Sequence, residues 1–448
     1  MSAQAARRSL LVAAFLIVWG PPALRTAGRD LEVAFADPFS FDAASLLQVG
    51  AWIFADALVL LLLVSHLARR TPFLSEFLSD RPLRWYGLYG MLGLASVTYS
   101  VSSIYTAFFA HKILVELLVL ALLEWHWPSR HGSRALQVLF LVYSLQAAAI
   151  GTLYFVQREW VTPFGSGGGP EPVRLTGGMF ADYGSSALIS SVFFLTVALF
   201  GSKPAYRWLA AGAYVGTWAL MVLSQTRSTM AAGVAFLVIM LHAHPRARVQ
   251  GALIAAGLGL GLTALLPAVL EGIVTVGTRR GEGLDTLSGR TEAFAYLIEK
   301  WQDSPLLGYG FAAGTRNSLI DFVDRRGLNI GAGHDALSTV LVDLGLVGLA
   351  LLLAAFVSAW IAVGRLYRAT ASHREATVTA HQVACLLVWV TFSAVVDKGF
   401  AGPFEVFMVA IVATWTLRKQ AGDSPDPRWA APVPEARGSL AAAKGERP

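Results

Sequence analysis

The sequence predicts an all-α integral membrane protein with about twelve transmembrane helices. Three observations lead to this fold class. Of the 448 residues, 55% are hydrophobic and only 14% are charged, and the mean hydropathy is +0.56. Soluble proteins usually carry about 25% charged residues, so this composition excludes a soluble enzyme, a disordered chain and a fibrous protein. The third observation is that basic residues fill alternate loops between long apolar runs.

Twelve runs approach the length of about 20 apolar residues that a membrane-spanning helix needs. They lie at 9–24, 45–66, 83–105, 107–125, 135–156, 179–200, 205–223, 228–241, 249–270, 336–363, 377–396 and 403–417. The first run follows Arg7 and Arg8, as in a signal peptide. It contains Pro21 and Pro22 and no small-residue cleavage site, which favours a helix that is retained.

Every second loop carries the basic residues, which sets the predicted orientation. These residues are Arg7, Arg8, Arg69, Arg70, Arg81, Arg84, Arg130, Arg134, Lys203, Arg207, Arg246, Arg248, Arg365, Arg368, Arg374, Arg418 and Lys419. By the positive-inside rule, these loops and both termini are cytoplasmic. The opposite face carries one long periplasmic loop, 271–335, between predicted helices 9 and 10. Residues 1–420 then form a polytopic transmembrane domain, and residues 421–448 a disordered cytoplasmic tail.

The net charge of +6 reflects this orientation and contact with anionic membrane lipids. No basic cluster interleaved with aromatic residues is present, so nucleic acid is not an expected partner. The single cysteine, Cys385, excludes an intrachain disulfide and makes cysteine-ligated zinc a poor expectation.

Arginines on the predicted periplasmic face are informative, because topology selects against them there. Several stand there, and those singled out are Arg174, Arg227, Arg279, Arg280 and Arg290. A single arginine of this kind can simply reach the lipid headgroups from a helix end. Several on one face favour an anionic ligand, because guanidinium groups match phosphate oxygens bidentately.

Two histidines, His111 and His334, are predicted to face the periplasm, and His111 is placed in a tight turn between two spans. A histidine beside an arginine-lined pocket is suited to act as a general base near neutral pH. A helix-capping or interface role is the alternative, and position alone leaves both open.

Other catalytic chemistries lack their residues. The glycine-rich stretch 165–170 has no Lys-Ser/Thr ending of a phosphate-binding loop, and the periplasmic carboxylates form no Asp-x-Asp cluster. We therefore expect neither a metal nor a cofactor. Asp56, Glu116 and Asp343 lie within apolar runs and need partners. All three fit a proton or ion pathway, and Glu116 and Asp343 equally fit buried structural pairs that line a lipid-headgroup cavity.

Several short motifs resemble the O-antigen ligase and polysaccharide polymerase family of polytopic membrane glycosyltransferases. They are Ser-Gln-Thr-Arg-Ser-Thr at 224–229, Ser-Gly-Arg at 288–290 with Trp301 and Ser-Pro-Leu-Leu-Gly-Tyr-Gly at 304–310, His-Asp at 334–335 with Leu-Gly-Leu-Val-Gly at 344–348, and Arg-Leu-Thr-Gly-Gly-Met-Phe at 174–180. Together they define a catalytic region at 174–348. The sequence departs from the family pattern at Asp335, where Asn is common, and at 182–183, which lacks the usual Pro-Asn.

The resemblance implies a GT-C-like membrane enzyme of cell-envelope and lipopolysaccharide biosynthesis in the bacterial inner membrane. Its donor is a glycan on undecaprenyl diphosphate, and its acceptor is lipid A–core for a ligase or a second lipid-linked glycan for a polymerase. Arg227, Arg290 and Arg174 would stabilise the departing diphosphate, with Arg279 and Arg280 as further candidates. His334 would deprotonate the acceptor hydroxyl in one inverting, metal-independent displacement.

The alternatives come from other classes of protein. A ligase is slightly favoured over a polymerase, and a protein-glycosylating relative is a third possibility. A polytopic transporter or lipid-linked-glycan flippase should show inverted repeats or interrupted helices, and the sequence shows neither pattern. The excess of outward arginines argues against a purely structural membrane protein. Glu292–Trp301 has helical apolar spacing, which predicts that part of the long loop is helical.

Overall fold

The structure, a computed structural model, describes residues 9–11, 13–14, 43–128, 132–156, 183–224, 227–243, 290–326, 336–370, 374–396 and 404–423. These parts of the chain are helical, with short connections and no β-strand. The all-α fold class is therefore confirmed. The chain is a membrane protein in which helices pack on helices around an apolar core.

The helices follow the apolar runs closely. In chain order they are α1 (Ala43–Ala68), α2 (Phe73–Ser79), α3 (Arg81–Ala95), α4 (Ser103–His126), α5 (Arg134–Val156), α6 (Tyr183–Phe200), α7 (Pro204–Ser224), α8 (Arg227–Ala243), α9 (Arg290–Gln302), α10 (Ala313–Arg326), α11 (Ala336–Thr370), α12 (Arg374–Val396) and α13 (Glu405–Asp423). The predicted runs 9–24 and 249–270 lie wholly or largely outside the described residues.

The structure supports fewer spans than the twelve predicted. Within the described segments, four helices are long and apolar enough to cross a membrane, namely α4, α5, α11 and α12. A fifth span is added if α1 and α2, which are bent by 104° relative to each other, count together. The number twelve stays a prediction, since α6 and α8 are apolar but shorter.

The predicted spans 83–105 and 107–125 are wrong in their boundary. Helix α3 ends at Ala95, a 3₁₀ turn covers Ser96–Thr98, and α4 begins at Ser103. Hydroxyl side chains in this stretch bond nearby groups, as when Ser96 Oγ donates to the Gly93 carbonyl at 2.7 Å. The same hydroxyl accepts a hydrogen bond from Phe311 N at 3.0 Å, so contacts with a distant part of the chain fix the turn here. His111 consequently lies inside α4 and not in a turn.

The helix predicted within the long loop is confirmed, because α9 (Arg290–Gln302) contains the whole 292–301 segment. A second helix, α10, follows it. A small apolar cluster of Ala293, Leu297, Leu319, Phe322 and Val342 joins α9 and α10 to the first turns of α11. These three segments therefore pack as one unit on the transmembrane bundle.

At the opposite end of the bundle, ion pairs connect loops that the sequence assigned to one side. Lys419 Nζ lies 2.6 Å from Glu76 Oε2, and Arg418 pairs with Asp80. The meeting of these loops agrees with the predicted alternation. That this side is the cytoplasm stays a prediction. The disorder of the tail 421–448 also stays a prediction, except that α13 extends into it as far as Asp423.

Candidate functional site

The segment 303–312, here named the motif loop, joins α9 to α10 and contains the Ser-Pro-Leu-Leu-Gly-Tyr-Gly motif. It docks against a kink in α11 at Gly345, whose backbone angles are φ 63° and ψ −161°. In an unbroken α-helix, the N–H groups of Leu346 and Val347 would bond to the carbonyls of Val342 and Asp343. The kink breaks this pattern and leaves four backbone groups in need of partners, of which the carbonyls belong to the buried residues Val342 and Asp343.

The motif loop supplies partners for all four groups. Tyr309 N donates to Val342 O at 2.9 Å, Gly310 N to Asp343 O at 2.9 Å, Leu346 N to Pro305 O at 2.9 Å and Val347 N to Leu306 O at 3.3 Å. Two helical hydrogen bonds are thus replaced by four bonds between helix and loop. This exchange explains why the Pro-Leu-x-Gly-x-Gly and Leu-Gly-x-x-Gly motifs occur together, because each supplies hydrogen-bond partners for backbone groups of the other.

Two glycines permit this docking. Gly345 has φ +63°, and a Cβ atom there would collide with the Leu306 carbonyl. Gly308 has φ +66°, and a Cβ atom there would lie 2.5 Å from Val342 O. Left-handed backbone of this kind favours glycine, and the close approach of two backbones leaves no room for a side chain.

Asp343 acts as a structural anchor in this arrangement. Its side chain is buried, at 2% relative exposure, and its Oδ1 accepts a hydrogen bond from Thr315 N at 2.7 Å. Thr315 Oγ1 in turn donates to Thr339 O at 3.2 Å. Thr315 lies in the first turn of α10, where helix N–H groups lack internal partners. Asp343 therefore fixes where α10 starts, which favours a structural role over a proton pathway.

The other two intramembrane carboxylates also have partners. His111 Nε2 lies 3.1 Å from Asp56 Oδ1, and Lys112 Nζ lies 3.4 Å from Glu116 Oε1 one helical turn away. Lys112 also lies over the Trp52 ring, 5.5 Å from its centroid. The buried Lys112–Glu116 pair matches the structural alternative that the sequence left open for Glu116.

The N-terminal third of the chain contributes to the site, which the sequence analysis missed. Hydrogen bonds reach the motif loop from the turn between α3 and α4 and from the first turn of α4: Val101 N to Tyr309 O at 3.0 Å, Tyr99 Oη to Leu307 O at 3.0 Å, Thr106 Oγ1 to Phe311 O at 2.9 Å, and Phe311 N to Ser96 Oγ at 3.0 Å. The available signal was the run of hydroxyl residues at 96–106 within an otherwise apolar stretch.

A cleft of about 280 Å³ opens beside the motif loop. Its lining residues are Val101, Lys300, Tyr309, Gly314, Asn317, Ser318, Ile320 and Asp321. Lys300 Nζ lies over the Tyr309 ring, 5.1 Å from its centroid, and Tyr309 Oη donates to Lys300 O at 3.1 Å. Loss of hydration raises the pKa of Tyr309, which keeps its phenol protonated. The cleft thus presents amide, hydroxyl, ammonium and carboxylate groups beside an aromatic ring.

One further cation on this side escaped the sequence analysis. Arg316 lies in α10, and its guanidinium carbon is 4.9 Å from the centroid of the Tyr105 ring in α4. Such stacking holds a guanidinium in place without neutralising its charge. Arg316 also lies on the predicted periplasmic face, so it could have been named with the other arginines there, but it belongs to none of the motifs.

The predicted catalytic side chains all lie outside what the structure describes. Arg174, Arg279, Arg280 and His334 lie outside the described residues. Arg227 and Arg290 are the first residues of α8 and α9, and their side chains are also outside what the structure describes. Their helix-opening positions agree with the motif pattern, and their roles stay proposals.

We expect Asp343→Ala to lower the free energy of unfolding by about 2 kcal/mol, because it removes the acceptor for a buried backbone N–H. Asp343→Asn keeps an acceptor oxygen and should cost less. Thermal unfolding in detergent micelles measures the difference. The matched control is Asp303→Ala, since the Asp303 side chain is 69% exposed and lies 3.7 Å from Lys300. Equal effects of the two alanine variants would contradict the anchoring role.

A comparison with known protein families matches the region that contains the motif loop and the kink in α11. Residues 212–353 match the family model described as O-antigen ligase. The match runs from α7 through the motif loop to the middle of α11. No curated protein matches the chain.

Proposed function

We propose that this protein, whose residues 212–353 match the O-antigen ligase family model, transfers a glycan from an undecaprenyl-diphosphate carrier to an acceptor hydroxyl. The family implies a glycosyltransferase-like enzyme of the O-antigen ligase or polymerase type. One observation supports the finer reaction. In the matched region, four backbone hydrogen bonds join the motif loop to the kink in α11, and we call this unit the frame.

The frame suits an anionic leaving group. Arg227 and Arg290 each stand at the first residue of a helix, where unsatisfied N–H groups and the helix dipole favour negative charge. A guanidinium at such a position adds bidentate hydrogen bonding to phosphate oxygens. We propose that both contact the diphosphate, with Arg174, Arg279 and Arg280 as further contacts of the catalytic region 174–348.

His334 is the proposed general base. It lies two residues before α11, and the first turns of that helix pack against α9 and α10. A base carried by this frame would be held in a fixed position relative to Arg290. The match to the family motif and the near-neutral pKa of an ordinary imidazole support this role.

The proposed reaction is a single displacement. The acceptor oxygen attacks the anomeric carbon of the donor, and its proton passes to His334. The bond between the anomeric carbon and the diphosphate oxygen breaks, and the electron pair leaves with undecaprenyl diphosphate. Arginines stabilise this developing charge, so neither a metal nor a covalent glycosyl-enzyme is required. One displacement inverts the anomeric centre.

We propose that a sugar of the glycan occupies the cleft beside the motif loop. Its hydroxyl groups would bond to Asn317 and Asp321, and one ring face would lie near Tyr309. Amide and carboxylate groups that converge next to an aromatic ring are typical of a site that orients a polar ligand. We place this end of the protein on the periplasmic face of the bacterial inner membrane, with both termini in the cytoplasm.

The acceptor separates two activities. We favour transfer to lipid A–core, the ligase reaction, over transfer to a second lipid-linked glycan, the polymerase reaction. Both acceptors would bind at the periplasmic end, away from the end where α13 forms its ion pairs.

Purified protein tests the proposal with a glycan linked to undecaprenyl diphosphate, both acceptors and excess EDTA. We expect transfer to proceed at the same rate with and without EDTA, because arginines replace a metal. A glycan on undecaprenyl monophosphate is the matched control and should transfer poorly. A capped lipid A–core identifies a ligase, and a lengthened lipid-linked ladder identifies a polymerase.

Loss of activity in EDTA that returns with a divalent cation would contradict the metal-independent mechanism. Movement of the donor across vesicle membranes without transfer to any acceptor would contradict the transferase assignment itself. It would favour the flippase alternative.

A further inference from the structure

The geometry points to a binding site for the phosphate-bearing headgroup of an anionic phospholipid, at the end of the bundle opposite the motif loop. A cleft of about 460 Å³ opens there between the α2–α3 junction, α11 and α13. It is lined by Glu76, Ser79, Asp80, Arg81, Arg365, Trp415, Arg418 and Lys419. This site is independent of the proposed transferase reaction.

The acidic residues of this cleft, named here the basic cleft, already have partners in the protein. Asp80 pairs with Arg418, and Glu76 Oε2 lies 2.6 Å from Lys419 Nζ. Lys419 Nζ also lies 3.9 Å from the centroid of the Trp125 ring. The two ion pairs tie α13 to the α2–α3 junction, and among the described lining residues they leave no carboxylate to neutralise the remaining basic side chains of the cleft.

Arg81 and Arg365 are those remaining basic side chains. Both are exposed, and neither forms an ion pair with any residue in the described segments. Four basic and two acidic groups line the cleft, so these residues carry a net charge of +2. Guanidinium groups on α3 and α11, two separate elements, can hold one phosphate from two directions.

The bend between α1 and α2 indicates where the membrane surface lies. Helix α2 turns by 104° from α1, so it runs across the end of that span. It buries Phe73 and Phe77 against the bundle and leaves Leu78 54% exposed. A short amphipathic helix at this angle is typical of the interface between headgroups and acyl chains. The basic cleft begins where α2 ends.

These observations favour a lipid over a soluble anion. A soluble phosphate needs only the arginines, whereas a phospholipid also needs apolar surface beside them for its acyl chains. The exposed side chains of Leu67 and Val64 in α1, next to the bend, provide that surface together with Leu78. Tryptophans such as Trp415 and Trp125 are also common at this depth in membrane proteins. The occupant is therefore a phospholipid with a net negative phosphodiester headgroup.

Native mass spectrometry of the full-length protein with phosphatidylglycerol or phosphatidylcholine tests the site. We expect phosphatidylglycerol to remain bound and the Arg81→Gln/Arg365→Gln variant to bind it about tenfold more weakly, since each interfacial arginine contributes substantially to anionic lipid binding. Arg81→Lys/Arg365→Lys keeps both charges and should retain most of the binding. The matched control is Arg69→Gln/Lys203→Gln, which removes the same charge outside the cleft.

Three outcomes would overturn the inference. They are equal phosphatidylglycerol binding by the cleft variant and wild type, equal losses in the cleft and control variants, and displacement of the lipid by millimolar inorganic phosphate or glycerophosphate. The last would identify a soluble anion as the ligand. All four substituted positions are exposed, so the variants should fold, and unchanged elution in size-exclusion chromatography checks this.

Discussion

We expect His334→Ala to lower the rate of glycan transfer by about 10²–10⁴-fold, the contribution typical of a general base. Without an imidazole, the acceptor hydroxyl must attack while still protonated, so the rate should fall in the chemical step and not in donor binding. The measurement is the initial rate of transfer at saturating donor for wild type and variant. The pH profile of wild type should also lose activity on the acid side, as the base becomes protonated.

The matched control for this experiment is His111→Gln, the other histidine that the sequence placed on the periplasmic face. His111 in α4 bonds to Asp56 in α1, remote in sequence from the family motifs, and Gln keeps a donor for that carboxylate. We expect this variant to transfer at close to the wild-type rate. A fully active His334→Ala variant would refute the catalytic assignment.

We expect Gly345→Ala to destabilise the protein by about 3 kcal/mol or more and to abolish transfer. A side chain at φ +63° is strained, and its Cβ atom would collide with the Leu306 carbonyl. Relief of that collision requires the motif loop to move away, which leaves the backbone groups at the kink, including the carbonyls of buried Val342 and Asp343, without their partners. Thermal unfolding in micelles measures the loss of stability, and increased proteolysis within 303–312 reports the undocked loop.

Gly364→Ala is the control for this substitution, because Gly364 lies in the same helix and a Cβ atom there meets no other atom within 4 Å. It should be neutral or stabilise the helix by about 0.5–1 kcal/mol, since alanine favours helix over glycine. If Gly345→Ala unfolded at the wild-type temperature with its loop protected, the docking argument would be wrong.

Helix positions were predictable to within a few residues wherever one apolar run forms one helix. The run 135–156 corresponds to α5 (Arg134–Val156), and 205–223 corresponds to α7 (Pro204–Ser224). The reason is local: a long apolar segment in a membrane must satisfy its own backbone, and an α-helix does this within the segment. Helix α9 was equally visible from its apolar spacing.

The break between α3 and α4 was not predictable from the run 83–105. Its hydroxyl residues are compatible with a continuous helix, and the deciding contacts come from residues about 200 positions later in the chain. Phe311 N donates to Ser96 Oγ, and Thr106 Oγ1 donates to Phe311 O. A prediction from local sequence has no access to such partners, and the position of His111 was wrong for the same reason.

The sequence predicted which motifs form the candidate site, but it did not predict the contacts that hold them together. The sequence indicated the motif loop and the Leu-Gly-x-x-Gly segment as parts of one site. It did not indicate that they exchange backbone hydrogen bonds at a kink, or that Asp343 sets the start of α10. The roles of His334 and of the five arginines remain predictions that rest on the motifs.

The sequence by itself determined that the chain is a helical membrane protein, where most of its helices lie and which motifs resemble those of the O-antigen ligase family. Composition and apolar runs suffice for this, because each helix satisfies its own hydrogen bonds. Only the tertiary structure decided where α11 kinks, why Gly345 and Gly308 are glycines and how the N-terminal third supports the motif loop. Those features depend on buried backbone groups whose partners lie far away in sequence, and such groups find each other only when the helices pack.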